Sequence, residues 1–423
     1  MVGTPKGIVQ AARLLWCVQR FVRSRVRTRL DTKPSSKGRQ GRALVTVALD
    51  YRPALFPGFG IGRYVKNLVP SLLAVDPSLQ LKLYGVFWRN RRRLVADHAF
   101  PDDARATFHG APVPARLIPL LSRVLRVSAR TFTGPFDLFH DTDYAVTPVR
   151  GRPRIATLYD TAYLRDRGFV SEMQSRHMHD VVKRILRGVS RIITISEFAK
   201  KDLVEAFDLD PDRISVTYLG VDPVFLEEPD HDAIDRAVTT YGITPPYCMY
   251  LGTLEPRKNL VRLVRAFARL LEMAPEHNLV LVGRKGWAHE RVFGVVEELG
   301  IGDKVRWLGH LSDEAAGLLL KGAAVMAYPS LYEGFGLPAL EGMASGVPVL
   351  SSDSHALREV CGDGALLVDP MDEGAIFDGL RTLALDRGEA NEIAERGRAR
   401  AQSFTWDACA RATLAAYRTV FGD

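Results

Sequence analysis

Short runs of apolar residues recur along the chain, and between them apolar positions return every three to four residues. The runs are too short for buried helices, so they predict parallel strands covered on both faces, with amphipathic helices between them. In the first half the strand candidates are 44–49, 81–87, 138–140, 155–159, 192–195 and 214–218. In the second half they are 247–251, 279–282, 305–308, 324–328, 347–350 and 365–368. Strand and helix alternate in both halves, as an α/β fold of doubly wound parallel sheets requires. The weakest point between the halves is Glu227-Glu228-Pro229-Asp230-His231-Asp232, followed by a short helical piece and Thr244-Pro245-Pro246. These polar and proline-bearing segments place a linker over 229–246. The expected division is a leader 1–42, a first domain 43–228, the linker, a second domain 247–403 and a terminal helix 404–423. Ligands of such sheets bind beyond the carboxyl ends of the strands, so two facing sheets put the site in a cleft between the domains.

Composition supports this division. A chain of 423 residues is too long for one core and suits two domains of about 190 residues each. Its 47% hydrophobic and 25% charged residues are those of a globular protein, which excludes a disordered chain. Cys17, Cys248, Cys361 and Cys409 are scattered, with no C-x-x-C pair, which argues for a reducing, cytoplasmic setting and against a disulfide framework or a zinc site.

Charge changes the picture at one end only. Residues 1–42 carry eleven Lys and Arg against the single acid Asp31, a balance of +10 within a chain of +8, which leaves −2 over residues 43–423. A basic arm on a nearly neutral body is the pattern of contact with an anionic surface, and the expected partner is the inner face of a membrane, not nucleic acid. Ile8, Leu15, Val22 and Val26 recur at helical spacing with Arg13, Arg20 and Arg27 opposite, which describes an amphipathic surface helix. An unstructured leader explains the same composition, and both readings stay open. The segment is too short and too charged to span a bilayer, and no small-residue cleavage site follows it. Trp88 to Arg93 and Ala115 to Arg126 mix large apolar and cationic residues in the same way; in the second, Leu117, Leu121 and Leu125 could equally pack inward.

The chemistry concentrates in Tyr332-Glu333-Gly334-Phe335-Gly336-Leu337-Pro338-Ala339-Leu340-Glu341. A strand ending in Tyr328-Pro329-Ser330 precedes it, and Leu337-Pro338 suits the first turn of a helix. Free N–H groups of Gly336, Leu337 and Ala339, with the positive end of the helix dipole, make a seat for a phosphate. Glu333 lies at the mouth of the loop and Glu341 about a turn into the helix, so both carboxylates can face a ligand whose diphosphate sits between them. Arg257 and Lys258 follow the strand 247–251 and its Gly252 turn, where cations offset the charge of a leaving nucleotide. Metal ligands are not gathered anywhere in the usual positions, and lone aspartates such as Asp353 read as turn residues.

This frame resembles the retaining GT-B glycosyltransferases of family 4, whose signature is two glutamates in an E-G-F-G-L-P-x-L-E setting. The resemblance covers roughly residues 43–421 and includes Tyr250 to Asn259, Val282-Gly283, Arg306 to Gly309, Gly346 to Val349 and Val368 to Pro370. It implies two Rossmann-like domains and a nucleotide-sugar donor used as substrate, with no cofactor and no metal. By resemblance Glu341 would hold the ribose hydroxyls and Glu333 those of the transferred sugar. Gly334, Phe335, Gly336 and Leu337 would line the donor, and main-chain groups near Leu308 and His310 would face the base. Thr253 stands where the family commonly has Arg; Lys258 matches the family lysine, and Arg257 can supply the other cation.

On the acceptor side, Pro57-Gly58-Phe59-Gly60-Ile61-Gly62-Arg63-Tyr64 follows the first strand, and Arg63 in the third glycine's place disfavours a dinucleotide site. The resemblance puts Gly62 and Arg63 nearest the donor phosphates. Tyr159-Asp160 stands where many relatives have His-Asp, which leaves Asp160 as the candidate for contact with the sugar or the acceptor, against the alternative of a strand-end cap. Tyr159, His140 and Asp141 are further acceptor-side candidates. The expected function is transfer of a hexose, with retention, onto a glycan or lipid-linked acceptor; the G-T-L-E-P-R-K-N variant resembles bacterial mannosyltransferases of surface polysaccharide assembly and implies mannose from GDP-mannose. The alternative is a catalytically silent nucleotide-sugar binder within an assembly complex.

Overall fold

The computed structural model describes residues 45–55, 60–86, 100–111, 121–122, 124, 126–165, 168–228 and 230–422. The basic leader, Pro57 to Phe59, Trp88 to Arg93, and the stretch 115–120 with Arg123 and Leu125 lie outside them, so the expectations placed there are not addressed by the structure.

Two all-parallel sheets account for the thirteen strands of the described residues. The first runs β3-β2-β1-β4-β5-β6-β7 and holds β1 (Thr46–Asp50), β2 (Gln80–Val86), β3 (Ala106–Ala111), β4 (Leu138–Asp141), β5 (Arg154–Thr157), β6 (Arg191–Thr194) and β7 (Ile214–Val216). The second runs β10-β9-β8-β11-β12-β13 and holds β8 (Tyr247–Leu251), β9 (Asn278–Val282), β10 (Val305–Gly309), β11 (Val325–Tyr328), β12 (Val349–Ser352) and β13 (Leu366–Val368). Strand order reverses between β1 and β4 in one sheet and between β8 and β11 in the other, and such switch points open the crevices where ligands bind. Every expected run is a strand. The exception is β3, which the apolar pattern misses: Ala-Thr-Phe-His-Gly-Ala has one large apolar side chain, and as an edge strand it is not buried from Ala106 to Gly110.

The second domain shows how the pattern becomes packing. The helix Leu260–Leu271 buries Leu263, Val264, Ala266, Phe267 and Leu270 and leaves Arg265 exposed, so its apolar stripe lies along one side. That stripe faces the core and the helix Glu373–Leu385. Truncating Phe267 to alanine would cost about 3–5 kcal/mol, since a fully buried ring leaves a cavity the neighbours only partly close.

At the ends of the division, what the sequence does not show is what the helices there pack on. Within the linker region, His231–Thr240 is a helix whose Asp230 N-cap accepts from Ala233 N at 3.1 Å and which packs on the helix Asp313–Lys321 of the second domain. The helix Trp406–Thr419 packs against Gly60–Val75 of the first domain. Val221 N donates to Phe404 O at 3.0 Å, and Tyr417 OH meets His140 Nδ1 at 2.7 Å. Among the described residues no helix is long and apolar enough to cross a membrane.

Candidate active site between the domains

Two glycines bring the ends of β8 and β9 together. Gly252 and Gly283 hold φ of 150° and 145°, and a Cβ on Gly283 would sit 1.8 Å from Gly252 O, so only glycine fits there. The chain then makes a single turn, Pro256–Lys258, that presents Arg257 and Lys258. Asn259, left-handed at φ 61°, fixes this turn through its Nδ2, which donates to Pro329 O at 3.0 Å and Pro370 O at 2.6 Å.

Glu333 is the focus of the cations. Its Oε1 accepts from Lys258 Nζ at 2.5 Å and from Tyr328 OH at 2.8 Å, and its Oε2 accepts from Arg257 Nη1 at 2.9 Å. Lys258 Nζ also donates to Tyr328 OH at 2.8 Å, while Arg257 reaches Tyr332 O and Glu255 at 2.8 Å each. Burial alone would push the Glu333 carboxyl up, but the charges of Arg257 and Lys258 outweigh it and hold the group at about 2. Burial and the neighbouring Arg257 pull Lys258 below the ordinary lysine value. Tyr328, at the end of β11, had no signal in the sequence beyond its place at a strand terminus.

Gly336, at φ 101°, opens the helix Leu337–Ala344, and a Cβ there would lie 2.4 Å from Leu357. No side chain caps this helix start, which leaves its first-turn N–H groups to other acceptors. Glu341 sits on the helix at 1% exposure. One oxygen pairs with Arg63, which also pairs with Asp313; Glu341 Oε2 has no partner. Burial pushes this carboxyl up to about 7, Arg63 offsetting it and Asp313 adding to it. Arg63 belongs to the first domain, on Gly60–Val75, so the second glutamate is held across the cleft.

The first domain also closes on the glutamate loop. Ser196 Oγ donates to Gly334 O at 2.7 Å, and a Cβ on Gly334 would meet Tyr159 O at 2.6 Å and Asp160 Cβ at 2.8 Å. Tyr332 OH donates to Asp202 Oδ2 at 2.5 Å, and Glu359 accepts from the free N–H groups of Glu197 and Phe198 at 2.8 and 2.9 Å. These cross-domain partners carry no motif, and sequence reasoning missed them.

The predicted site residues fall into two groups. Asp160 stands at the loop: its Oδ1 accepts from Ala162 N at 3.0 Å, burial raises its pKa, and Arg257 and Lys258 pull the other way. Gly62 is buried on its helix beside Arg63. Leu308 lies on β10, and His310 follows it with its pKa lowered by burial and by Arg284. Others face the core. Phe335 packs its ring on Phe404 at 5.9 Å, and Leu337 is buried, which leaves only their main chains toward a ligand. His140 spends both ring nitrogens, on Tyr417 and on Thr157 Oγ1 at 2.8 Å, and burial lowers it to about 3. Asp141 accepts from Arg154 Nη2 at 2.6 Å and is fully buried, and Tyr159 OH donates to Thr142 O at 2.7 Å. The structure thus places His140, Asp141 and the Tyr159 hydroxyl inside the first domain, in bonds that tie β4 and β5 together, and not at an acceptor surface. Among the described residues no three His, Cys, Asp or Glu side chains converge on a metal position.

Comparison with known proteins decides the family. Residues 60–225 match the model for Glycosyltransferase Family 4, and residues 233–400 that for Glycosyl transferases group 1. A MMP alpha-(1->4)-mannosyltransferase of Mycolicibacterium hassiacum is 32% identical over 313 residues, 67% of this chain and 71% of that one. The chain belongs to glycosyltransferase family 4. This glycosyltransferase is also 29% identical over 374 residues to the O-antigen chain mannosyltransferase B of Escherichia coli, covering 86% of its own length and 97% of that protein. Its GT-B fold is shared with the sucrose-phosphate synthase of Thermosynechococcus elongatus, at a TM-score of 0.70 and 21% identity over 89% of this chain and 99% of that one. HepE of Anabaena, solved in complex with UDP-glucose, has the same fold at a TM-score of 0.66 and 18% identity, with 89% and 99% covered.

Proposed function

We propose that this glycosyltransferase moves mannose from GDP-mannose, with retention, onto a glycan or lipid-linked oligosaccharide. The observation that carries the reading is the cluster of Glu333, Arg257 and Lys258 at the carboxyl ends of β8 and β11, closed over by the first domain. Glu333, held at about 2, is a full carboxylate at neutral pH and can accept from two vicinal hydroxyls of the transferred sugar. Arg257 and Lys258 already lie against it, so the same cations stand beside the departing diphosphate and neutralise its charge without a divalent ion. In same-face transfer the bond from the anomeric carbon to the phosphate oxygen breaks, the acceptor oxygen bonds to that carbon, and the acceptor proton passes to the departing phosphate. This needs no protein nucleophile, and Asp160, a first-domain carboxyl packed against Gly334, would orient the groups.

Mannose is supported by the near full-length likeness to a protein named as a mannosyltransferase. The presence of both glutamates with Lys258 supports catalysis over silent binding. Nucleotide release from GDP-mannose, UDP-glucose and ADP-glucose tests the reading: release should be fastest from GDP-mannose, and the anomeric configuration of the product, read by NMR, should match the donor's. Faster release from a UDP- or ADP-sugar would remove mannose, and an inverted product would remove retention. The basic leader further supports a cytoplasmic enzyme held peripherally on the inner face of the membrane, each basic residue near an anionic surface adding about 1 kcal/mol. Co-sedimentation with anionic vesicles should then fall with salt and with deletion of residues 1–40; binding indifferent to lipid charge would rule this mode out.

A further inference from the structure

Beyond the carboxyl ends of β12 and β13 lies a cavity of about 510 Å³ that none of the donor contacts uses. Phe169 lines it from the first domain, and Asp353, Ser354, His355, Asp369 and Met371 from the second. Its size falls within the range of about 300–1,000 Å³ in which small-molecule sites are found, and like them it joins apolar walls to a few polar groups. It adjoins the glutamate loop. Leu331, also on its wall, donates from its backbone N–H to Arg257 O at 2.8 Å, and the ring of Tyr332, the residue before Glu333, lies 5.1 Å from that of His355 and 6.4 Å from that of Phe169.

Two features mark this place as more than a gap. His355 holds a left-handed backbone at φ 51°, a conformation that costs energy in a side-chain-bearing residue and persists where the surroundings impose it. Next to it Ser354 Oγ is buried with no hydrogen-bond partner, an unmet polar group beside a space that can hold one. The chemistry of the walls selects the occupant. Two carboxylates, one of them paired with Arg358, and no Lys or Arg stand among its lining residues, which favours a neutral occupant over phosphates and other anions. Carboxylates, a hydroxyl and an imidazole beside Phe169 and Met371 suit a neutral molecule that offers hydroxyls on its edge and C–H groups on its face.

We infer that this cavity binds a neutral, hydroxyl-rich sugar unit of the acceptor, next to the anomeric carbon held beside Glu333. Asp353 and Asp369 accept its hydroxyls, Ser354 supplies a further hydrogen bond, and Phe169 with Met371 covers the ring face. The inference rests on the glycosyl-transfer reading and adds where and by what chemistry the acceptor is held.

Two arms test it on the full chain, with α-mannobiose and methyl α-mannoside as the probes. In the first, Met371→Trp, at a position 61% exposed and so able to carry bulk, fills the cavity, and Asp353→Asn removes a carboxylate whose ion pair with Arg358 is on the surface. The Michaelis constant for the probe acceptor should rise about 10-fold in each, as expected for a lost charged hydrogen bond or blocked site, while the donor Michaelis constant and donor hydrolysis without acceptor stay at the parent's values. An unchanged acceptor constant, or donor hydrolysis falling in step with transfer, overturns the inference while leaving glycosyl transfer standing. In the second arm, saturation-transfer NMR of nucleotide-saturated protein should show both probes bound to the parent and not to Met371→Trp; absence of binding to the parent overturns it. Failure of the parent to release nucleotide from any donor sinks the glycosyl-transfer reading instead, and the NMR arm still decides whether the cavity takes sugar.

Discussion

Glu333 and Glu341 stand eight positions apart in one loop and helix, both buried, and their surroundings drive them in opposite directions. Glu333 is held at about 2 by Arg257 and Lys258, cations of its own domain set on a turn that Asn259 ties down. Glu341 is pushed up to about 7 because its burial is offset only by Arg63, which reaches it from the other domain, with Asp313 sharing that arginine. The first carboxylate therefore keeps its charge whatever the two domains do, whereas the second depends on how they meet.

The largest effect should come from removing the local support. Lys258→Ala leaves Glu333 buried beside one cation fewer, and breaking a buried pair on one side costs about 3–5 kcal/mol, to be measured by denaturant unfolding. A loss below about 1 kcal/mol would show that Arg257 and Tyr328 suffice and that the contrast with Glu341 is weaker than drawn.

Glu333→Gln should keep nucleotide affinity and lower turnover roughly 100-fold, because its charge acts mainly in the transition state. Equal turnover in this variant and the parent would take Glu333 out of the chemistry.

The third contrast is in pH. Glu341, raised from 4.5 to about 7, binds a proton in the folded chain that the unfolded chain has released, so between those values stability falls as pH rises. Glu333, lowered from 4.5 to about 2, does the reverse: its stabilisation is present above 4.5 and is lost as pH falls toward 2. In unfolding free energies, the pH-dependence that Glu341→Gln removes should lie between 4.5 and about 7, and that which Glu333→Gln removes between about 2 and 4.5, with the Glu333→Gln loss full at neutral pH. If ionised Glu341 accepts both ribose hydroxyls, nucleotide affinity should also be about 10-fold weaker at pH 6 than at pH 8, and independent of pH in Glu341→Gln. Titration calorimetry giving one affinity at both pH values in the parent would break this half of the comparison.

The smallest effect belongs to a more exposed ion pair across the domains, Arg398 with Glu228, whose carboxylate side chain is 82% exposed. Glu228→Ala should cost less than about 1 kcal/mol in the same unfolding measurement, because solvent screens the pair. A larger loss would mean that exposure is not what separates this contact from the one at Glu341.

Much of this was legible in the sequence because it is local. Apolar runs buried on both faces give away twelve of the thirteen strands of the described residues, and the glutamate frame and the Arg257-Lys258 turn lie on contiguous residues whose spacing carries their geometry. What escaped depends on contacts between distant segments. His140-Asp141 reads like a polar pair at a strand end, and only the approach of Tyr417, 277 positions away, and of Arg154 shows that both belong to the core. Arg63 reads as a break in a glycine motif, but its partner Glu341 is 278 positions on. No periodicity reports such pairs.

The return of the helix Trp406–Thr419 to the first domain has a consequence for how the molecule is made. A chain leaving the ribosome ordinarily matures from its first domain onward. Here that order is inverted for one side of the molecule: until this helix emerges, Gly60–Val75 lacks one of the surfaces it packs on and His140 lacks Tyr417, while every strand of the second sheet is already available. The first domain is the earlier to be synthesised and the later to be finished, and a nascent chain stalled after residue 403 would carry an assembled second sheet beside a first domain waiting for its closing piece.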